Sequence, residues 1–445
     1  MGRRSCNVVV VGGGLSGLAS ARAVTAGGVE CLVLEARERV GGRVTTKTIA
    51  GGILAEGGGQ WVAKTHSEML SLVREFGFET YPTFNQGKHI LELGGSRITG
   101  REYSDLTTAE RDQFLTVIRS LDELSHTVPC DAPWTAPSAN SLDEQTVYNW
   151  LQENVSECRV GRILAAVVQN TLGPPSQVSL LYFLFFLHAA GGYAAVSNIR
   201  GGAQELRFKE GAYAVATALA SDLGERLMYS APVEELIHTS ADTIILKTTC
   251  GEVEAEYAIV AVNPADLRSI RFTPELPGRR RQMIEHWPAI AGFKAHAVYE
   301  HAFWRKQQLS GHVVSDGLVD ECYDDSPPSG SPGVLLLFAD PSILPTEAAE
   351  RRAILVQDLV RLFGPQAREL LDYSEMNWSS EQWTAGCVSP LGPGMLTRYG
   401  PVLRAPTGRV HWAGTETATQ FVGYMEGALR SGKRAAAEVL EAMFK

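Results

Sequence analysis

Three glycines near the start of the chain have the spacing of a phosphate-binding turn. Gly12, Gly14 and Gly17 form G-x-G-x-x-G directly after the apolar run 8–11, which is typical of a central parallel strand. The glycines allow a tight bend, a close backbone approach to a pyrophosphate, and close packing of the next helix, whose N-terminus favours phosphate. Glu35 follows at the distance of a ribose-binding carboxylate. The segment therefore predicts a dinucleotide site, and this motif alone does not choose between NAD and FAD.

Two further side chains could do chemistry, depending on what lies beside them. Lys294 stands in the apolar stretch AIAGFKAHAVY, which disfavours a solvated strand face. Cys387 stands in the Gly/Pro-rich stretch EQWTAGCVSPLGPG, as a buried small residue, a reactive thiol or a covalent attachment point. No C-x-x-C pair and no Ser/His/Asp arrangement is apparent in the sequence, so neither a metal site nor a hydrolytic triad is predicted.

Composition places the chain among ordinary globular proteins that are long enough for two intertwined domains. It has 445 residues, 44% of them hydrophobic, and a formal net charge of −10 without a basic block. This charge argues against nucleic acid or an anionic membrane as the main partner. The seven cysteines and the lack of a secretory signal predict a soluble, cytoplasmic protein. The most apolar segment, 178–196, is interrupted by His188 and predicts a buried helix rather than a membrane span.

The continuation of the chain resembles the flavin-containing amine oxidase family, which includes monoamine and putrescine oxidases. The resemblance is carried by ERVGGR at 38–43, EGGGQW at 56–61 and WAGTETATQFVGYMEG at 412–427. It implies that the cofactor is FAD. The candidate FAD-binding residues, taken from the glycine motif and from the resemblance together, are Gly12, Gly14, Ser16, Gly17, Glu35, Ala36, Arg37, Gly42, Arg43, Gly58, Gly59, Gln60, Trp61, Val233, Trp378, Cys387, Gly414, Thr415, Glu416, Gly423, Tyr424 and Met425.

The resemblance also implies a fold of mixed α/β and α+β class with two domains. A Rossmann-type FAD domain would be discontinuous, made of 1–90, 200–285 and 390–445, and a mixed sheet and helical substrate domain would take 91–199 and 286–389. In the latter, the stretch DECYDDSPPSGSPG is expected to be a turn region with no chemistry of its own. Homodimers are common among relatives, but no stretch of this sequence marks an interface.

Lys294 and Tyr424 are the candidate catalytic residues that the resemblance implies. In the family, the counterpart of Lys294 holds a water near flavin N5, and that of Tyr424 is one wall of an aromatic cage around the amine. Cys387 matches the cysteine that monoamine oxidases bond to the 8α-methyl of FAD, and both a covalent link and an unreacted thiol remain open. The second cage ring should follow this cysteine. Because Val388 stands there, the cage is incomplete unless another ring, such as Trp383, replaces it.

Position in the family pattern also indicates which residues line the substrate side. An aromatic residue at helical spacing is as well explained by plain core packing. The candidate substrate-binding residues are Tyr182, Phe183, Val196, Gln204, Val388 and Tyr424.

The sequence therefore predicts an FAD-dependent oxidase that converts a primary or secondary amine to an imine, then an aldehyde or ketone. Oxygen would be the acceptor and hydrogen peroxide the second product. The missing ring at Val388 motivates an alternative, a tailoring oxidase acting on a C–N bond of an alkaloid or other secondary metabolite. An L-amino-acid oxidase is disfavoured because Lys64 stands where those enzymes have an arginine. The presence of Lys294, Trp378 and Tyr424 argues against a flavin-binding protein without turnover.

Overall fold

A computed structural model describes residues 3–101, 104, 106–239, 243–387 and 389–445. Its strands, in chain order, are β1 (Arg4–Val11), β2 (Cys31–Leu34), β3 (Thr46–Ile49), β4 (Ile53–Glu56), β5 (Trp61–Val62), β6 (Thr80–Pro82), β7 (Lys88–Leu93), β8 (Ser96–Gly100), β9 (Leu206–Phe208), β10 (Leu227–Met228), β11 (Val233–His238), β12 (Ile244–Thr248), β13 (Gly251–Val260), β14 (Arg271–Thr273), β15 (Phe293–Tyr299), β16 (Leu309–Ser315), β17 (Glu321–Asp324), β18 (Gly333–Ala339), β19 (Asp372–Asn377) and β20 (Val410–Trp412).

Helices separate these strands and form a layer of their own between β8 and β9. In chain order they are α1 (Leu15–Ala26), α2 (Ser67–Glu75), α3 (Thr108–His126), α4 (Ala139–Glu144), α5 (Val147–Asn154), α6 (Cys158–Thr171), α7 (Leu180–Ala190), α8 (Tyr193–Ser197), α9 (Tyr213–Leu223), α10 (Gly278–His286), α11 (Phe303–Lys306), α12 (Ala348–Phe363), α13 (Met395–Leu403) and α14 (Met425–Phe444).

One sheet collects strands from three distant parts of the chain. Its order is β10-β2-β1-β13-β12-β11-β14, and β20 also pairs with β13. β1 lies parallel to both β2 and β13, and its apolar run 8–11 is buried, as expected for a strand covered on both faces. The sheet thus joins segments 4–34, 227–273 and 410–412, all within the predicted pieces of the FAD domain. The boundaries of the two domains stay a prediction.

Helix α14 packs against α1 and so brings the end of the chain beside the glycine turn. The hydroxyls of Ser16 and Ser431 are 2.9 Å apart, and Ser20 Oγ donates to the carbonyl of Gly432 at 3.1 Å. A Cβ on Gly17 would lie 1.9 Å from the carbonyl oxygen of Gly12. Only glycine therefore fits at this crossing of helix and turn, which is the packing role expected of the motif's third glycine.

A second sheet has the order β19-β15-β18-β17-β16-β7-β8. β15 lies between β18 and β19, and all seven of its residues are buried, which places Lys294 inside the protein. Part of the stretch 320–333 is strand β17, and Asp324 and Asp325 are each 2% exposed. The expectation that this stretch is a turn without chemistry is wrong, because both carboxylates bind buried partners.

The helical layer centres on α7, which packs against α3 and α4. Ser179 Oγ accepts a hydrogen bond from the backbone N–H of Tyr182 at 3.0 Å and caps the helix. Ten of the eleven residues of α7 are buried, in agreement with the predicted buried helix. No helix within the part of the chain that the structure describes is long and apolar enough to cross a membrane.

Candidate active site

An elongated cavity of about 390 Å³ passes the carboxyl ends of β1 and β2. α1 begins at its wall with Leu15 and Ser16. The first turn of a helix has N–H groups without intrahelical partners, which suits a pyrophosphate. Ser16 Oγ also accepts a hydrogen bond from the backbone N–H of Gly414 at 2.9 Å and so ties the C-terminal signature to this wall.

The structure brings most of the predicted FAD-binding residues to this one cavity. Those that line it are Gly12, Gly14, Ser16, Glu35, Ala36, Arg37, Gly42, Arg43, Gly59, Val233, Cys387, Gly414, Thr415, Gly423, Tyr424 and Met425. Of the other predicted residues, Glu416 lines a second cavity that is described below, whereas five line neither cavity: Gly17, Gly58, Gln60, Trp61 and Trp378.

Glu35 connects the glycine turn to the end of β2. Its Oε2 accepts from the backbone N–H of Gly13 at 2.6 Å and its Oε1 from that of Arg37 at 2.8 Å. The Arg37 guanidinium in turn donates to Glu381 Oε2 at 2.7 Å. Glu35 therefore shapes the loop in addition to presenting a carboxylate at the cavity wall, the position predicted for a ribose partner.

Arg43 is a half-buried cation in the lining of the cavity. Its Nη1 lies 2.6 Å from Glu416 Oε1 and donates to the carbonyl oxygen of Cys387 at 3.2 Å. Burial opposes its charge, but the Glu416 carboxylate more than offsets this and raises the pKa of Arg43. Asn263 donates to the same Glu416 oxygen at 2.9 Å. Arg43 is thus a fixed positive charge suited to a diphosphate.

A glycine segment, Gly57–Gly59, forms a thin wall with no side chains. A Cβ on Gly58 would lie 1.9 Å from the carbonyl oxygen of Arg43 and 3.3 Å from the ring of Trp378. Trp378 Nε1 donates to the carbonyl of Gly57 at 2.8 Å, which holds the indole over this segment. The local sequence EGGGQW is therefore a packed wall rather than a flexible surface loop.

Lys294 reaches this wall from β15. Its Nζ donates to the carbonyl oxygen of Gly58 at 2.7 Å and to Oε1 of Gln60, and it lies 5.5 Å from the ring centroid of Trp61. Burial lowers the pKa of Lys294 to about 8, while the nearby carboxylates, Asp325 first, oppose the shift. The apolar neighbours on β15 had predicted a buried lysine, and the structure agrees.

Sequence reasoning missed the buried charged cluster behind Lys294. Asp325 accepts from Gln60 Nε2 at 2.7 Å and from Arg207 Nη2 at 2.9 Å, and His296 Nε2 lies 3.5 Å from its Oδ2. Glu56 accepts from the backbone N–H of Ala212, and burial raises its pKa to about 7. These residues come from five separate strands or loops, so no local pattern in the sequence marks them as partners.

A second cavity of about 650 Å³ lies between the helical layer and the second sheet. It meets the first cavity at Cys387, Gly423 and Tyr424, which line both. Four of the predicted substrate-binding residues line it, namely Tyr182, Val196, Gln204 and Tyr424. A small molecule in this cavity would therefore reach the nucleotide cavity at Tyr424.

Phe183 does not line this cavity, and its predicted role is corrected here. It is 2% exposed and packs in the helical core with Leu121, Trp150 and Leu164. One helical step of about 100° turns its side chain away from the side on which Tyr182 lies. Phe186 takes the wall instead.

Tyr424 is supported by other rings. Phe186 stacks on it with centroids 5.8 Å apart and planes at 22°, and His66 lies 5.6 Å away on another side. Val388, where the second cage ring was expected, lies outside the described residues. Trp383 lines the nucleotide cavity and does not line the substrate cavity. Besides Tyr424 and Phe186, the aromatic residues in the lining of the substrate cavity include Tyr323 on the sheet side and Tyr182 on the helical side.

The sheet side of the substrate cavity contributes the polar side chains of His89, His312 and Glu321 beside several apolar ones, whereas most of the helical side is apolar. Glu321 accepts from the hydroxyl of Tyr323 at 2.6 Å, and His312 Nε2 lies 3.8 Å from the same oxygen. Among the described residues, the buried Oδ1 of Asn85 and Oε1 of Gln204 have no hydrogen-bond partner. These acceptors would suit a substrate that carries hydrogen-bond donors.

Cys387 lies where the two cavities meet. Its backbone N–H donates to the carbonyl of Ile290 at 2.8 Å, and the exposed part of the residue faces the cavities. Burial raises the pKa of its thiol, and Arg43 and Lys294 oppose that shift. The residue therefore borders the cavity to which we assign FAD, and the closeness of its thiol to the cofactor stays a prediction.

The nucleotide cavity fits FAD by its own chemistry. It joins a helix N-terminus for a pyrophosphate, a fixed cation at Arg43, and a wall at Gly59 that is backed by Gly58, where a Cβ would clash with the backbone. It then opens, at Tyr424, onto a second and mainly apolar cavity. A dinucleotide cavity joined to a second cavity of substrate size is the arrangement expected of a cofactor-dependent oxidoreductase.

Comparison with known proteins gives the family. The sequence model described as flavin containing amine oxidoreductase matches residues 15–440. A Mycobacterium tuberculosis protein named as a flavin-containing monoamine oxidase, AofH, is 37% identical, over 97% of this chain and 96% of its own length. Human amine oxidase [flavin-containing] B is 34% identical, over 99% and 87%. The chain therefore belongs to the flavin-containing amine oxidase family, whose cofactor is FAD.

Solved structures agree in fold as well as in sequence. A putrescine oxidase bound to putrescine superposes with a TM-score of 0.93 at 30% identity, covering 99% of this chain and all of that one. Cyclohexylamine oxidase from Brevibacterium oxydans gives 0.92 at 31%, with the same coverage. The predicted two-domain flavin amine oxidase fold is confirmed, and the protein is an oxidoreductase that acts on the C–N bond of amines.

Proposed function

We propose that this protein oxidises a primary or secondary amine to the imine, with dioxygen as acceptor and hydrogen peroxide as second product. The carrying observation is the junction of the two cavities at Cys387, Gly423 and Tyr424. FAD held in the first cavity would supply the two-electron redox chemistry between the amine and dioxygen. The imine would then hydrolyse to an aldehyde or ketone.

The residues of this chain prepare the amine and exclude water. Tyr424 and Phe186 offer aromatic faces, and burial raises the pKa of the Tyr424 phenol, which keeps it neutral. The apolar helical wall disfavours an ammonium ion and so favours the neutral amine, whose lone pair assists oxidation. Lys294, held at Gly58, supplies the donor that we assign to the step with oxygen.

The test is anaerobic bleaching of the flavin by a panel of amines, combined with peroxide release in air. We expect at least one amine to bleach the flavin and to yield one peroxide per amine. If no amine, amino acid or polyamine bleached it, the oxidase proposal would be overturned. Bleaching without peroxide would retain amine oxidation but replace oxygen as the acceptor.

The polar residues on the sheet side of the substrate cavity favour an amine substrate that carries a second hydrogen-bonding or cationic group. Glu321 offers a carboxylate in that wall, remote in sequence from Tyr424. Putrescine oxidase, one of the similar structures, carries a diamine. We expect Glu321→Gln to raise KM for diamines about tenfold or more and to leave KM for apolar monoamines within about twofold. Equal effects on both classes would contradict this assignment.

The structure supports one alternative substrate class, a secondary metabolite, and gives little support to another, an amino acid. A tailoring oxidase that acts on a secondary-metabolite C–N bond fits the volume of about 650 Å³ and is tested by the same panel with cyclic amines. For an amino-acid oxidase, Lys64 offers little support, because it pairs with Glu205 at 2.7 Å and does not line the cavity. The cation in the lining, Arg200, is exposed at the rim.

We also propose that FAD is bound covalently, through a link to Cys387 Sγ. Support comes from the place of this thiol at the wall shared by both cavities. Acid denaturation should leave the yellow colour with the protein, and the intact mass should exceed that of the bare chain by one FAD. Cys387→Ala should release the colour. Colour wholly in the supernatant of the unmodified protein would show an unreacted thiol.

We also propose a cytoplasmic location and a homodimer. The seven cysteines are all free in the structure, which supports a reducing compartment. Sedimentation at several protein concentrations would test the dimer, and a single species at the mass of 48.2 kDa would contradict it.

A further inference from the structure

A buried chain of hydrogen bonds leads from Lys294 to a carboxylate on another strand. Lys294 Nζ donates to Gln60 Oε1, and Gln60 Nε2 donates to Asp325 Oδ1 at 2.7 Å. Arg207 donates to the carbonyl of Asp325 at 2.6 Å and to its Oδ2 at 2.9 Å. All four side chains belong to residues that are at most 4% exposed. The chain of hydrogen bonds is therefore shielded from bulk solvent.

The chemistry of Lys294 and Asp325 determines the orientation of the Gln60 amide between them. An ionised carboxylate only accepts hydrogen bonds and an ammonium only donates them. Gln60 must therefore turn its NH₂ group to Asp325 and its oxygen to Lys294. Arg207 holds the Asp325 carboxylate in place from the far side, so the orientation of the Gln60 amide does not depend on Lys294 itself.

We propose that Asp325 is a positioning residue for Lys294, acting through Gln60. The oriented amide and the carbonyl of Gly58 give Nζ two fixed acceptors, which hold the ammonium against the glycine wall of the nucleotide cavity. This inference rests on the proposed function, because only there is Lys294 assigned to the step with oxygen. It adds a residue that lies outside the cavity lining and that no motif of the chain had marked.

The charges around Lys294 determine the direction of the expected effect. Asp325 and Glu56 favour the ammonium form and Arg207 opposes it. Two other titratable residues are near: Cys387, across the cavity, and His296, on the same strand, whose pKa is lowered by burial. When the Asp325 charge is removed, the repulsion between Arg207 and the Lys294 ammonium is no longer offset by that carboxylate. The pKa of Lys294 should therefore fall further below its ordinary value.

The experiment measures the protonation of Lys294 directly in the FAD-loaded protein. NMR of protein labelled at lysine Cε and Nζ, with the signal assigned from Lys294→Arg, gives its pKa. We expect Asp325→Asn and Gln60→Leu each to lower this pKa by about one unit or more. The matched control is Asp324→Asn, which removes an equally buried carboxylate that binds Trp304 and Arg305 instead.

A second readout is the pH profile of flavin reoxidation by oxygen after photoreduction, which should move to lower pH with the pKa of Lys294. Gln60→Leu leaves the Arg207–Asp325 ion pair intact and covers the case in which Asp325→Asn does not fold. An unchanged pKa in folded Gln60→Leu, or an equal shift in Asp324→Asn, would overturn the proposal. The NMR titration needs neither amine nor oxygen turnover, so its result is independent of whether the proposed function holds.

Discussion

At the scale of single residues, Gly58 shows how little freedom the cofactor wall has. Its carbonyl accepts from Lys294, and a Cβ would lie 1.9 Å from the carbonyl oxygen of Arg43. Because that neighbour is backbone, Gly58→Ala must displace the segment that borders the nucleotide cavity. We expect the affinity of the apoprotein for FAD to fall at least about tenfold, or about 1.4 kcal/mol, in a fluorescence titration.

The control for this substitution is Gly278→Ala at the start of α10. A Cβ there would meet no atom within 4 Å, so FAD affinity should stay as in the unmodified protein. Equal FAD affinity in Gly58→Ala would show that the glycine wall can move without cost.

At the scale of elements, one buried carboxylate joins the start of α14 to the start of α2. Glu426 is fully buried and accepts from the backbone N–H groups of Glu68 and Met69 at 3.1 and 2.9 Å. It thus satisfies two N–H groups of the first turn of α2, which have no partner within their own helix. We expect Glu426→Gln to lower the free energy of unfolding by about 1–3 kcal/mol in a denaturant titration.

Glu441→Gln, near the exposed end of the same helix, is the matched control. Its carboxylate is 67% exposed and pairs with Lys445 at 2.7 Å. An exposed ion pair contributes about 0–1 kcal/mol, so this change should be small. If both variants lost the same stability, the cap on α2 would have no particular value.

At the scale of the whole molecule, buried histidines limit stability in acid. Burial, with a smaller effect of Arg430, lowers the pKa of His66 to about 4, and burial with His312 lowers that of His89 to about 3. The unfolded imidazole gains its proton below about 6.5, whereas the folded one stays neutral to a lower pH. Unfolding is therefore favoured progressively as the pH falls from about 6.5 to 4.

We expect His66→Gln to reduce this acid loss by up to about 3 kcal/mol, as measured by unfolding titrations at pH 7 and pH 4. Glutamine retains an acceptor for the N–H of Ala63, which now donates to His66 Nδ1 at 3.2 Å. The exposed His301→Gln serves as control and should lose stability with acid as the unmodified protein does. An unchanged acid loss in His66→Gln would count against this explanation.

Much of the nucleotide site could be predicted from the sequence because it depends on local backbone conformation. Gly12, Gly14 and Glu35 act through a turn and a helix start that are encoded within thirty residues of sequence, and the structure places all three at one cavity. The prediction that Phe183 lines the substrate cavity was wrong because α7 is buried at ten of its eleven residues, so its sequence does not show which side faces the cavity. The buried role of Asp325 was missed because an acidic residue near prolines and serines usually lies in a surface turn.

The sequence by itself predicted the dinucleotide-binding turn and its flanking strand and helix, since glycine spacing and strand composition act over short range. The flavin and the amine oxidase family were implied by the resemblance of the segments 38–43, 56–61 and 412–427. The sequence also identified Lys294 as a buried lysine from its apolar neighbours. Only the tertiary structure decided which side chains meet. Arg207 and Asp325, 118 positions apart, form an ion pair behind Gln60, and β20 returns to β13 beside the glycine turn. Such contacts depend on how whole sheets pack, and burial then makes each unpaired charge too costly to leave without its partner.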